Sequence, residues 1–80
     1  MTSDQVADAL AGSLTELGID ASAIHPDVRL REDLELDSTE MVQVSLDLTR
    51  RLGVRIRLAP GANDTFQDAC EAVAREASDP

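Results

Sequence analysis

LELDSTEMVQVSLDL, residues 34–48, carries a helix start and a helix stripe in one line. At about 100° per residue, Met41, Val44, Leu48 and the following Leu52 fall within about 60° of one another, which is the stripe a helix turns toward a core. Gly53 ends it. Asp37 followed by Glu40 has the spacing of a capping box, in which Asp37 accepts an early helical amide and Glu40 reaches back to the cap's own N–H. Ser38 then occupies the first helical position, with its hydroxyl free of capping duty and facing outward. A phosphodiester placed there meets unpaired backbone amides and the positive end of the helix dipole. Val42 and Leu46 lie about 100° to 140° from Met41, on the flank where Ser38 and Thr39 project, so an apolar patch is expected beside the serine.

On either side the chain supplies what such a helix packs against. Val6, Leu10, Leu14 and Leu17 recur at helical steps between Thr2 and Gly18, with Ser3 or Asp4 as the expected cap and Gly18 as the left-handed residue after the end. From Ile19 to Glu35 the apolar positions Ile24, Val28, Leu30 and Leu34 keep no period, and Pro26 biases His25 away from helical angles. This predicts a structured loop tacked onto the core, longer than the usual two to eight or so residues between helices. Val54, Ile56 and Leu58 alternate with Arg55 and Arg57, a period of two without a partner strand, which reads as extended loop. Pro60 to Asn63 have room for one turn of a short fourth helix. A last helix follows Asp64, with Thr65 and Asp68 at capping-box spacing and Phe66, Ala69, Cys70, Val73 and Ala77 as its stripe. The expected fold is all-α: one domain over residues 1–80, a small bundle of three main helices with a long first loop. Leu10, Leu14, Met41, Val44, Leu48, Phe66 and Val73 are its expected core.

Composition removes whole classes of function. Sixteen Asp and Glu stand against seven Arg and no Lys, a net charge of −9, which argues against a phosphate-binding surface for nucleic acid or anionic lipid. One Cys and one His allow neither an internal disulfide nor a Cys/His metal cluster. No apolar run reaches the roughly 18 residues of a membrane span, and MTSDQVADAL lacks the build of a signal peptide, so a cytoplasmic protein is expected. Asp33, Glu35 and Asp37 mimic the first ligands of a calcium loop, but Ser38 replaces its glycine and Val44 its final glutamate, and no metal site is expected. His25 has no placed partner for acid–base work, and Cys70 reads as a small buried hydrophobe.

The same line resembles the serine attachment motif of acyl carrier proteins. The approach LREDLELDS, the second helix ending in LGVRI and the TFQDA start of the last helix agree with that family in order and spacing over the whole chain. The resemblance implies that Ser38 carries 4′-phosphopantetheine through a phosphodiester and that the arm's thiol holds acyl groups as thioesters. It implies a non-catalytic carrier, a monomer served by a phosphopantetheinyl transferase, an acyltransferase or ligase, and ketosynthase-type enzymes. A peptidyl or aryl carrier is the alternative within carriers; there two glycines usually precede the serine, where this chain has Glu35 and Leu36. An unmodified helical interaction module is the alternative outside them.

Charge divides along the central helix: Glu32, Asp33, Glu35, Asp37, Glu40 and Asp47 precede Arg50, Arg51, Arg55 and Arg57. Much of this complements the macrodipole, and the acidic end also steers basic partners. Asp37, Thr39, Val42, Gln43 and Leu46 are the expected partner contacts. Family members often carry Glu where this chain has Gln43, Thr49 and Arg50, and Leu or Met where it has Thr39. These departures favour dedicated partners and a specialised pathway such as polyketide synthesis over general fatty acid synthesis.

Overall fold

A computed structural model describes residues 2–58, 61 and 64–78, with side chains as far as Glu76. Three α-helices, α1 (Ser3–Glu16), α2 (Ser38–Leu52) and α3 (Phe66–Ser78), are joined by long connections, the first of which contains a single 3₁₀ turn at Ala21–Ala23. Pro60, Ala62 and Asn63, where a short fourth helix was expected, lie outside the described residues, as does the side chain of Ala77. No helix among the described residues is long and apolar enough to cross a membrane.

Each helix is bounded by local chemistry. The cap of α1 is Thr2, one residue before the expected Ser3: its Oγ1 accepts the Gln5 amide at 3.2 Å while Gln5 Oε1 accepts the Thr2 amide at 2.9 Å. That reciprocal pair needs a residue three before Gln5, and it draws Ser3 and Asp4 into the first turn. At the other end Gly18, with φ of 100°, lets its own amide reach the Thr15 carbonyl and that of Ile19 reach Leu14. This is the paired closure that a left-handed residue after a helix permits. At α2, Leu36 and Met41 flank the Asp37 cap and are both buried, the placement of a hydrophobic staple that fixes how the chain enters the helix. The stop at Gly53 is left-handed, with φ of 74°.

The long first connection has a structural task at the start of α3. There the Phe66 and Gln67 amides, which have no acceptor within their helix, donate to the Val28 and Pro26 carbonyls at 2.7 and 3.1 Å. Val28 and Leu30 are buried as the loop passes, and Ile24 and Leu34 pack at the edge. Both α2 and α3 pack on α1. Every residue expected in the core is buried, with Val6, Leu10, Leu14, Leu30, Val44, Leu48 and Val73 sealed from solvent.

The alternating segment after Gly53 finds its partner in a helix. The Thr49 hydroxyl accepts the Ile56 amide at 2.9 Å, and Ser45 Oγ accepts the Leu58 amide at 2.9 Å. Four residues of helix rise about 6 Å and two residues of extended chain advance about 6.6 Å, so hydroxyls at i and i+4 match amides at j and j+2, antiparallel. Ile56 and Leu58 are thereby held inward while Arg55 and Arg57 face solvent. Replacing Thr49 by Val keeps the shape and strands the Ile56 amide; a loss of about 1 to 3 kcal/mol is expected in urea titrations. An unchanged midpoint would show that the hydroxyl does not hold the segment.

Candidate functional site

The start of α2 is an exposed serine on a fully built cap. Asp37 Oδ1 accepts the Glu40 amide at 2.8 Å and Glu40 Oε1 accepts the Asp37 amide at 3.0 Å. The Asp37 carbonyl accepts the Met41 amide at 2.9 Å. With those positions filled, the amides of Ser38 and Thr39 have no acceptor among the described residues, and Ser38 is exposed with its hydroxyl unengaged. A phosphodiester on Ser38 Oγ would find two free N–H donors and the helix dipole beside it. The residues present therefore fit a covalent phosphodiester.

Approach to the serine is set by a tight turn. Asp33 accepts the Arg29 amide at 2.9 Å and its guanidinium at 3.2 Å, and Arg29 also pairs with Glu32 at 3.3 Å. These bonds, the Arg29 backbone amide first among them, hold the Asp33 carboxyl below the usual carboxylate range. Asp33 thus closes a turn and Asp37 caps a helix, which leaves no calcium loop; no metal-holding group of side chains exists among the described residues. Glu35 follows with φ of 55°, the one non-glycine residue in the left-handed region among the described residues. That conformation costs a side-chain-bearing residue about 1 to 2 kcal/mol, and glycine returns part of the gain as chain entropy. Glu35→Gly is accordingly expected to raise stability by about 0.5 to 1 kcal/mol in thermal unfolding. A lower midpoint would place the value of Glu35 in its side chain instead.

The flank beyond Ser38 is open and apolar. Val42 is 58% and Leu46 64% exposed, against none for Val44 and Leu48 on the opposite face, so the patch is not a widened core face. Ser38, Val42 and Leu46 succeed one another at four-residue steps and share that flank, with exposed Thr39 and Gln43 beside them. The structure so brings together Asp37, Ser38, Thr39, Val42, Gln43 and Leu46 along one side of one helix.

The basic end of α2 is less free than its sequence suggests. Arg51 pairs with Asp47 at 2.6 Å and with Glu16 of α1 at 3.0 Å. A Cβ at Gly12 would sit 2.9 Å from the Arg51 guanidinium, so glycine there lets the clamp lie across α1. Bonding to Arg51, with help from the Ser13 hydroxyl, holds the Asp47 carboxyl below its ordinary range. Arg50, 79% exposed at its side chain, reaches the same Asp47 at 3.3 Å. Glu32, Asp33 and Asp47 being paired, Glu35, Asp37 and Glu40 make up the acidic surround of Ser38. Neither other nucleophile candidate joins it: His25 lies exposed in the first loop, and burial pushes the Cys70 thiol up to about 11, leaving no thiolate at neutral pH.

Three contributions escaped sequence reading. Leu36 stands outside the stripe of α2 yet anchors its start, Ser45 and Thr49 read as ordinary polar helix positions, and nothing local marked Glu35 as left-handed. Leu36 alone carried a signal, as the apolar residue just before a cap.

Comparison with known proteins bears on this geometry. A family model described as a phosphopantetheine attachment site matches residues 8–73. The acyl carrier protein of Rubrobacter xylanophilus is 40% identical over 40 residues, which make up 50% of this chain and 49% of that protein. The match thus spans about half the length of that curated relative. No solved structure matches the chain.

Proposed function

This chain belongs to the acyl carrier protein family, whose domain bears covalent 4′-phosphopantetheine, and we propose Ser38 as the residue that carries it. The observation behind the assignment is the exposed Ser38 hydroxyl at the first position of α2, with two unpaired amides beside it. Ser3 holds the same position in α1, but it lies outside the matched residues 8–73 and its next turn presents half-buried Ala7. In loading, the Ser38 Oγ–P bond forms, the pyrophosphate bond of coenzyme A breaks, and adenosine 3′,5′-bisphosphate leaves as the hydroxyl gives up its proton to the transferase. The arm's thiol supplies the thioester chemistry. Residues 1–80 act as one monomeric carrier domain and contribute presentation of the arm, while catalysis belongs to the partners. The test is intact mass after incubation with a phosphopantetheinyl transferase, coenzyme A and magnesium: a single phosphopantetheine increment is expected, and an unchanged mass would end this reading.

Acyltransferase or ligase and ketosynthase-type partners meet Asp37, Thr39, Val42, Gln43 and Leu46, whose shared exposed flank supports that surface. Buried Leu36, one of the two residues before Asp37, weighs against the glycine pair of a peptidyl carrier. Gln43 and the exposed Arg50 set this helix apart from one built for basic partners, since a partner cation facing Arg50 meets a like charge. These departures support a dedicated, polyketide-type pathway. The Gln43→Glu, Arg50→Glu double variant is expected to be loaded and condensed faster than the parent by generic fatty-acid-synthesis enzymes, by a margin that shrinks with salt. Equal rates at low salt would remove the specificity argument.

A further inference from the structure

We propose that the face formed by α2 and the 54–58 segment docks a helix of a partner enzyme, one that lays an apolar stripe on Val42 and Leu46 and presents two carboxylates one turn apart to Arg55 and Arg57. This rests on the partner surface assigned to the flank of α2 and extends it to a segment outside that helix. The two elements border an open groove of about 660 Å³, with Val42 and Leu46 on one side, Ile56 on its floor, and Arg55, Arg57 and Glu76 at its rim. Val42, Leu46 and Val54 are the exposed large hydrophobic residues among those described, and all three lie on α2 or at the start of this segment. An apolar helix stripe laid into such a groove is a recurrent mode of recognition.

The charge of this face is opposite to that of the chain as a whole. Net charge is −9, yet the rim carries two arginines and one acid. Arg29, Arg50 and Arg51 are in ion pairs, and Arg31 and Arg75 each adjoin a glutamate in sequence. Arg55 and Arg57 differ from all of these. Both are exposed, neither forms an ion pair among the described residues, and no acid is nearer to them in sequence than Asp47 and Asp64. Relief of self-repulsion in an acidic chain is served best by cations set beside acids, and it asks for no apolar neighbour. Arg57 also borders a second hollow with Asp64, Asp68 and Glu76, which leaves Arg55 the less compensated cation.

Spacing gives the partner its form. On its inner face the segment already meets one helix: the Thr49 and Ser45 hydroxyls accept the Ile56 and Leu58 amides, because four helical residues rise about 6 Å and two extended residues advance about 6.6 Å. Arg55 and Arg57 repeat that two-residue spacing on the outer face, so they match carboxylates at i and i+4 of a second helix laid on that side. Each planar guanidinium offers two parallel N–H donors to such a carboxylate. The footprint then has two signs. The acids around Ser38 favour a partner cation at one end and Arg55 with Arg57 a partner anion at the other, which fixes the direction in which the partner lies along α2. A second copy of this chain meets only half of these terms. Asp4 and Asp8 are exposed one turn apart on α1, but no large apolar side chain of α1 is exposed with them.

The experiment titrates the full chain, without its arm, with three helical peptides that share one leucine stripe and differ only at a pair of positions four apart, which hold glutamate, glutamine or lysine. Nitrogen–proton correlation spectra follow the Val42 and Leu46 amides and the Arg55 and Arg57 Nε–H signals. The overall charge of the chain by itself would rank the lysine peptide first and the glutamate peptide last. The expected order at these four residues is the reverse, with the glutamate peptide about three- to tenfold tighter than the glutamine one, the margin that two exposed ion pairs supply at low salt. About 0.5 M salt should erase that margin, and so should the Arg55→Gln, Arg57→Gln double variant. Both positions are exposed, so the helical signal of that variant should match the parent's, and the salt arm needs no variant at all. Glutamate and glutamine peptides that bind equally at Val42 and Leu46 would overturn the acid pair and leave the flank standing as a partner surface. A lysine peptide bound tightest at those residues would overturn it as well. Shifts that grow on concentrating the chain alone would give the face to a second copy instead, and no shift at Val42 and Leu46 from any peptide would remove flank and acid pair together. Attachment at Ser38 is untouched by each of these outcomes, since intact mass reads it separately.

Discussion

Ser38→Ala is expected to abolish phosphopantetheine loading completely while leaving the fold in place. The two halves of that outcome come from separate features. Loading fails because the Oγ that must bond to phosphorus is gone, and no neighbour replaces it: Thr39, the adjacent hydroxyl, sits one residue further into the helix and about 100° around it. The fold survives because Ser38 is exposed and its hydroxyl closes no bond among the described residues, while the Asp37–Glu40 box that starts α2 is untouched. Alanine is also the better helix former, so the urea midpoint should lie within about 0.5 kcal/mol of the parent. Ser3→Ala provides the matched control, since it alters the corresponding position of α1 and should load normally. A variant lacking Ser38 that still gained the full increment would move the attachment to another residue. One that lost loading together with its helical signal would reveal a structural serine instead.

Most of what positions this site was legible because it is local. Asp37, Ser38 and Glu40 announce a cap within four residues, Gly53 ends the same helix, and Thr65 and Asp68 start the next; each depends on hydrogen bonds closed within a turn or so. The exposed flank of Val42 and Leu46 followed from angular position alone. What could not be read depends on segments meeting across the fold. The alternating residues 54–58 had no visible strand partner because their partners are the hydroxyls of Ser45 and Thr49, thirteen and seven residues away in sequence. Arg51 read only as a base at the helix end, and its pairing with Glu16 across the bare Gly12 depends on α1 lying beside it. The cap of α1 was misplaced by one residue because Thr2, Ser3 and Asp4 are all capable, and only the reach of Gln5 selects among them. Neighbouring good caps are a degenerate signal, whereas the single Asp37 before Ser38 is not.

Leu48→Ala is expected to cost about 2 to 4 kcal/mol, the usual range for a large-to-small change at a fully buried position. For 80 residues at about 0.05 to 0.15 kcal/mol each, the whole domain holds only about 4 to 12 kcal/mol, so this one change removes a large part of it. Leu48 has no solvent exposure, whereas Leu46, two residues earlier in the same helix, is 64% exposed. Leu46→Ala removes the same atoms from the surface and should stay within about 0.5 kcal/mol of the parent. Both variants share their helix, its propensity change and its caps, so the difference between them isolates burial. Urea titration of the pair therefore measures the rotation of α2 about its axis. That rotation is also what turns Ser38, Val42 and Leu46 outward together, so the stability experiment tests the functional surface as well. Equal costs at positions 46 and 48 would mean that α2 is turned so as to bury part of the flank beside Ser38, and the partner surface assigned there would have to be drawn on another face.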